Sequence, residues 1–158
     1  MDQNKLEQFI TKHQIHAFGK YIYNPVITFQ ECQFPKYVME IIFLKGYKNP
    51  TPIQSITWPL ILSGKNVVGI AETGSGKTLA YLLPAIIHIN AQDIVQVKIT
   101  KQGEGPIVLV LSPTRELAQQ IYEEAKFFTE GCNISTSCIF GGAPKFTQQK
   151  ELSRGKNF

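Results

Sequence analysis

The chain has 158 residues, about one ordinary domain, and its 43% hydrophobic and 18% charged content places it among soluble globular proteins. The net charge of +4 permits a polyanionic partner without demanding one. No apolar run reaches the ~18 residues that a spanning helix requires, and Met1-Asp2-Gln3-Asn4-Lys5 does not open a secretory signal, since no basic region with an apolar stretch follows.

In chain order, Leu6, Phe9 and Ile10 stand at helical spacing and predict one short helix near the N-terminus. Asn24-Pro25 begins an extended stretch, because a residue before proline avoids the helical region. Tyr37, Val38, Ile41, Ile42 and Leu44 predict an amphipathic helix from Pro35 to Lys45, stopped at Gly46. Thr51 suits an N-cap and Pro52 the first helical position, so a helix runs from there to about Leu62, with a kink expected at Pro59 and an end at Ser63-Gly64.

A regular alternation follows. Asn66-Val67-Val68-Gly69-Ile70-Ala71 reads as a buried strand, Lys77 to about Ile89 as a helix kinked at Pro84, and Ala91 to Gly105 as a long surface loop. Ile107 to Leu111 is a second strand, Glu116 to Glu130 a helix closed by Gly131, Ile134 to Phe140 a third strand, and Phe146 to Arg154 a last short helix. Near-continuous apolar strands alternating with helices indicate an α/β fold with a doubly wound parallel sheet. Gly155-Lys156-Asn157-Phe158 reads as the approach to another strand, and with so few strands the domain is expected to be incomplete.

Ala71-Glu72-Thr73-Gly74-Ser75-Gly76-Lys77-Thr78 fits the Walker A pattern with alanine at the first glycine position, and a strand leads in and a helix leads out. Gly74 and Gly76 let backbone N–H groups turn toward phosphate oxygens, and the loop delivers those oxygens to a helix N-terminus. Lys77 can place its ammonium on the β- and γ-phosphates, and the Thr78 hydroxyl can meet Mg2+. A plain Gly-Ser-Gly turn with a surface lysine is the alternative. Cys32, Cys132 and Cys138 match no zinc spacing and read as reduced thiols of an intracellular protein. His13, His16 and His88 form no ligand spacing.

Four segments together resemble the DEAD-box RNA helicases. They are Gly46-Tyr47-Lys48-Asn49-Pro50-Thr51-Pro52-Ile53-Gln54, similar to the adenine-reading Q motif; the phosphate loop; Pro113-Thr114-Arg115-Glu116-Leu117-Ala118-Gln119-Gln120, similar to an RNA-contacting segment; and the Gly141-Gly142 doublet. The resemblance covers nearly the whole chain from about Glu7, and the flanking segments are similar to the nuclear branch acting in transcription, splicing and ribosome assembly. It implies a RecA-like P-loop domain, with residues 1–28 as an N-terminal extension and 29–158 as the first part of helicase domain 1. It also implies ATP and Mg2+ as cofactors and RNA as partner.

By the same resemblance Gln54 reads adenine, Phe29 stacks on the ring, and Tyr47 to Pro52 line the pocket. The Gln54 amide does offer the donor and acceptor that adenine requires, but Thr51-Pro52-Ile53-Gln54 is equally a capping box. Pro113, Thr114 and Arg115 sit at a strand-to-helix turn whose free N–H groups suit a phosphate, with Arg115 able to fork onto it. Thr114 as a plain N-cap, Arg115 as a solvated charge and Gly141-Gly142 as an ordinary turn are the alternatives. Contacts of this kind follow the backbone and tolerate any base sequence.

The Asp-Glu-Ala-Asp segment that would hold the metal and position water does not occur in this chain, nor do the arginines of a second domain. Losing an arginine finger alone costs roughly 10³–10⁵ in rate. The 158 residues by themselves are therefore expected to be inactive, and they are expected to fold poorly because in RecA-like sheets the strand carrying the phosphate loop pairs with strands that come later than Phe158. A different Walker A enzyme, such as a small-molecule kinase, needs no Gln54 reader and no Thr114-Arg115 site. A non-catalytic RNA-binding module needs neither Lys77 nor Thr78.

Overall fold

The computed structural model describes residues 3–20, 23–92, 105–130, 132–153 and 158. Along the chain come α1 (Gln3–Lys12), a 3-10 turn (Phe29–Cys32), α2 (Lys36–Leu44), α3 (Pro52–Leu62), α4 (Lys77–Asn90), α5 (Arg115–Thr129) and α6 (Lys145–Leu152). The chain divides into two compact units, Met1–Pro84 and Ala85–Phe158.

In the first unit α2 buries Val38 and Ile42, one turn apart. It ends where Tyr47 N–H reaches the Ile42 carbonyl at 3.2 Å and Gly46 N–H reaches that of Phe43 at 2.9 Å, the paired closure of a Schellman motif. The end of α3 repeats it, Lys65 N–H to Leu60 and Gly64 N–H to Ile61. Trp58 is the centre of this core. Phe34 meets it edge-on at 5.0 Å and Phe29 lies tilted at 6.0 Å. Its indole N–H donates to the Leu79 carbonyl at 3.2 Å, which fixes the first turns of α4 to α3.

Pro59 stands inside α3, and the helix continues through it. Having no N–H, it leaves the Ser55 carbonyl four residues back without its helical donor. Val26 N–H takes that carbonyl at 3.1 Å and ties residues 23–28 to the helix.

In the second unit α5 buries Ile121, Ala125, Phe128 and Thr129, a single helical face. Residues 134–140 run beside Phe158, whose N–H donates to Ser135 at 3.1 Å and whose carbonyl accepts from Ser137 at 3.2 Å. One residue bonded on both sides to two residues two apart is the register of a parallel pair. A cavity of about 330 Å3 opens beside these segments, lined among others by Val108, Val110, Ile121, Tyr122, Ile139 and Leu152.

The expected strands need a correction. Among the described residues, Asn66–Ala71, Ile107–Leu111 and Ile134–Phe140 are not assigned to any strand ladder, and the bonds to Phe158 are the single trace of parallel pairing. Nor are all of these side chains covered: Val68 is 91%, Ile70 93%, Leu109 72% and Leu111 84% exposed. Parallel strands pair only with neighbours brought back by a long crossover, so an apolar run signals burial without supplying its partner. The stretch from Asn24 also contains the unforeseen turn Phe29–Cys32. Most of the loop expected at Ala91–Gly105, the Gly131 stop, and residues 154–157 lie outside the described residues.

Candidate functional site

The phosphate loop lies in the first unit, between the 66–71 segment and the N-terminus of α4. Gly74 and Gly76 have φ of +79° and +86°, the left-handed region that side chains disfavour. Lys77 opens α4, so the first free N–H groups of the helix follow the loop directly. Its ammonium folds back onto the carbonyls of Ala71, at 2.7 Å, and of Glu72. The Ser75 hydroxyl is buried with no hydrogen-bond partner, while Glu72, Thr73 and Gly74 are exposed. A left-handed Gly-Ser-Gly turn with a donor hydroxyl left over, a lysine one residue on and a helix N-terminus behind it fits an anionic phosphate chain.

Gln54 joins the loop to the start of α3. It is 4% exposed, its Oε1 accepts from Thr51 N–H at 3.0 Å, and its Nε2 donates to the Gly76 carbonyl at 3.0 Å. The capping half of its expected role is therefore present. Thr51 and Gln54 face each other as a capping box, of which the Gln54 half is a full hydrogen bond, while the Thr51 hydroxyl is buried without one. A carboxamide has two N–H groups and two acceptor lone pairs, so one of each remains on Gln54 after its bonds. Gly76 acquires a second reason to be glycine, because a Cβ there would stand 2.5 Å from Gln54 Nε2 and 3.1 Å from Thr51 Oγ1.

The remaining expected residues are arranged unequally. Tyr47 is exposed and Pro52 half-buried at the head of α3. Phe29, expected to stack on a base, is 3% exposed and packs in the core beside Trp58. Thr78 is half-buried in the first turn of α4; burial pushes the Tyr81 hydroxyl above its ordinary pKa, and the nearby Thr78 side chain opposes that shift. Among the described residues no group of three or more His, Cys, Asp or Glu side chains could hold a metal ion. Thr78 presents a single hydroxyl in the first turn of α4.

The second unit holds the other candidate residues. Thr114 caps α5, its hydroxyl accepting from Leu117 N–H at 3.2 Å, and Pro113 and Arg115 are exposed beside it. The Arg115 guanidinium lies over the Phe140 ring, 4.3 Å from its centre. Gly141 and Gly142 follow Phe140 directly. Both are exposed, Gly142 has φ +81°, and a Cβ at either position would meet nothing within 4 Å. The structure therefore brings Arg115 and the glycine pair together through an aromatic ring. Gln148 in α6 grips the same point: Phe140 N–H donates to its Oε1 at 2.9 Å, and its Nε2 donates to Phe140 at 3.2 Å and Ala143 at 3.5 Å. Phe140 and Gln148 were not singled out in the sequence, and no periodicity or spacing marks a side chain that bonds to a backbone eight residues away.

The pattern of the DEAD/DEAH box helicases matches residues 51–158. The chain belongs to this family. The ATP-dependent RNA helicase DBP2 of Gibberella zeae is 53% identical over 150 residues, 95% of this chain and 26% of the relative. The RNA helicase Prp28 of Chaetomium thermophilum, solved with ADP, superposes with a TM-score of 0.82 at 34% identity, over 99% of this chain and 37% of that one. The yeast splicing factor Prp28 gives 0.84 at 28% identity over the same shares. The fold is thus the RecA-like α/β fold of these helicases, and the chain spans about a quarter of the length of the curated relative. Among the described residues no helix is long and apolar enough to cross a membrane.

Proposed function

We propose that the full-length protein is an ATP-dependent RNA helicase, in which this chain binds the adenine nucleotide and part of the RNA backbone. The observation that carries the reading is the loop Ala71–Thr78, with left-handed Gly74 and Gly76 and a buried, unpartnered Ser75 hydroxyl at the head of α4. The name of the Gibberella zeae relative supports the activity, and the ADP bound to the Chaetomium thermophilum helicase supports the nucleotide.

The chain's own residues bind and orient. Loop N–H groups and the Ser75 hydroxyl donate to phosphate oxygens, and Lys77 exchanges the Ala71 and Glu72 carbonyls for the β- and γ-phosphates. Thr78 offers its hydroxyl to Mg2+, which offsets phosphate charge when bound. Gln54 keeps the loop in place and turns its spare N–H and lone pair to the adenine edge, with Tyr47 and Pro52 beside it. Arg115, the turn at Pro113-Thr114 and the Gly141-Gly142 backbone meet RNA phosphates. The protein's place of action is the nucleus, as the resemblance to the nuclear branch implies.

RNA-stimulated ATP hydrolysis by the full-length protein, with and without Lys77→Ala, tests this reading. Hydrolysis that rises with single-stranded RNA and disappears in Lys77→Ala is expected. A rate indifferent to RNA, or untouched by Lys77→Ala, refutes it.

A further inference from the structure

The geometry points to Phe140 and Gln148 as positioning residues that hold Arg115 and the Gly141-Gly142 turn as a single rigid surface for an RNA backbone. The inference rests on the proposal that Arg115 meets RNA phosphate, and it adds how that arginine is aimed.

Arg115 is exposed on the first turn of α5, and among the described residues its guanidinium makes no ion pair. A long side chain so placed samples many rotamers, and ordering it on binding costs affinity. The Phe140 ring, 4.3 Å from the guanidinium carbon, removes part of that freedom beforehand. A guanidinium on an aromatic face keeps its N–H edge free, so the contact orients the fork without consuming its donors.

The ring in turn needs a fixed backbone. Gln148 supplies it by a two-way grip: its amide accepts from Phe140 N–H and donates to the Phe140 carbonyl, as a neighbouring strand residue would. The same Nε2 reaches the Ala143 carbonyl at 3.5 Å, so the grip spans both ends of the glycine pair. Gln148 is half-buried on a helix with no buried residue of its own, and these bonds tie α6 to the turn. Removing the grip frees both the phosphate-facing backbone and the platform under Arg115.

The test is single-stranded RNA binding by the full-length protein, read by anisotropy of a fluorescent oligouridylate. Affinity for a fluorescent ADP analogue monitors the integrity of the fold. Phe140→Leu keeps apolar bulk and loses the π face, and weakens RNA binding about two- to fivefold. Phe140→Tyr keeps the face and retains affinity. Gln148→Leu weakens binding roughly three- to tenfold.

The decisive comparison is made in an Arg115→Ala background. If Phe140 acts through Arg115, Phe140→Leu has no further effect there. An equal loss in both backgrounds overturns the aiming role of Phe140, and unchanged affinity in Gln148→Leu overturns that of Gln148. Should Phe140→Leu not fold, Phe140→Met carries the same comparison. An Arg115→Ala protein that binds RNA as tightly as the parent refutes the underlying RNA reading. Loss in Arg115→Ala with none in Phe140→Leu or Gln148→Leu leaves that reading standing and refutes this one.

Discussion

Gly76→Ala probes the joint between the phosphate loop and α3. The added methyl meets Gln54 Nε2 at 2.5 Å and Thr51 Oγ1 at 3.1 Å, at a residue with φ +86°. The left-handed conformation costs an alanine about 1–2 kcal/mol. Moving the amide away breaks its bonds to Thr51 N–H and the Gly76 carbonyl, at about 0.5–1.5 kcal/mol each. The substitution should therefore destabilise by about 2–5 kcal/mol. Gln54→Ala alone breaks the same two bonds and costs about 1–3 kcal/mol. The double variant has no amide to displace and loses the bonds only once, so it should unfold close to Gly76→Ala. Urea unfolding of the four proteins reads a coupling of about 1–3 kcal/mol. Additivity within about 0.5 kcal/mol would show that the glycine serves the phosphate loop alone and that Gln54 does not rest on it.

Three further outcomes follow from the same residues. Gln54→Ala should weaken ATP binding and narrow the preference for ATP over GTP, and equal use of GTP by the parent protein would remove the adenine assignment. Arg115→Ala should weaken RNA binding about equally across base sequences and reduce the slope of log affinity against log salt by roughly one; a loss confined to one sequence would mean that Arg115 reads a base. Burial, with a smaller contribution from Glu31, pushes the Cys32 thiol up to about 12. Cys32 should resist iodoacetamide until the protein unfolds, because the thiolate is the reactive form. A thiol raised on folding contributes stability that is whole below its ordinary value of 9.0 and fades as pH climbs from there toward about 12, so a chemical-denaturation midpoint flat across that window in the parent and falling in Cys32→Ser would contradict it.

Features decided by neighbouring residues were legible in the sequence. Thr51-Pro52 starts α3 and Gly46 and Gly64 close α2 and α3, because caps need only a few adjacent groups. The glycine turn at Gly74–Gly76 and the start of α4 at Lys77 were legible for the same reason, because eight consecutive residues fix them. Features that need a distant partner were not. Val68 and Ile70 have the composition of a buried strand, yet both stand exposed. Phe29 on its own reads more often as a core aromatic, and only the resemblance pointed it at a base; it packs in the core beside Trp58. Gln54 could be read as cap or as base reader, and the structure shows how one amide keeps a donor and an acceptor to spare while capping. The grip of Gln148 on Phe140 crosses a turn and leaves no pattern in the sequence.

Pro59 turns α3 into a socket. The proline exposes one carbonyl midway along the helix, and Val26 plugs into it with its main chain alone. The bond uses main-chain atoms alone, so any residue with an N–H that fits the half-buried place of Val26 can make it. Proline is the one replacement that cannot plug in: Val26→Pro should leave the Ser55 carbonyl bare in the core, whereas Pro59→Ala should give that carbonyl a helical donor and make it independent of Val26.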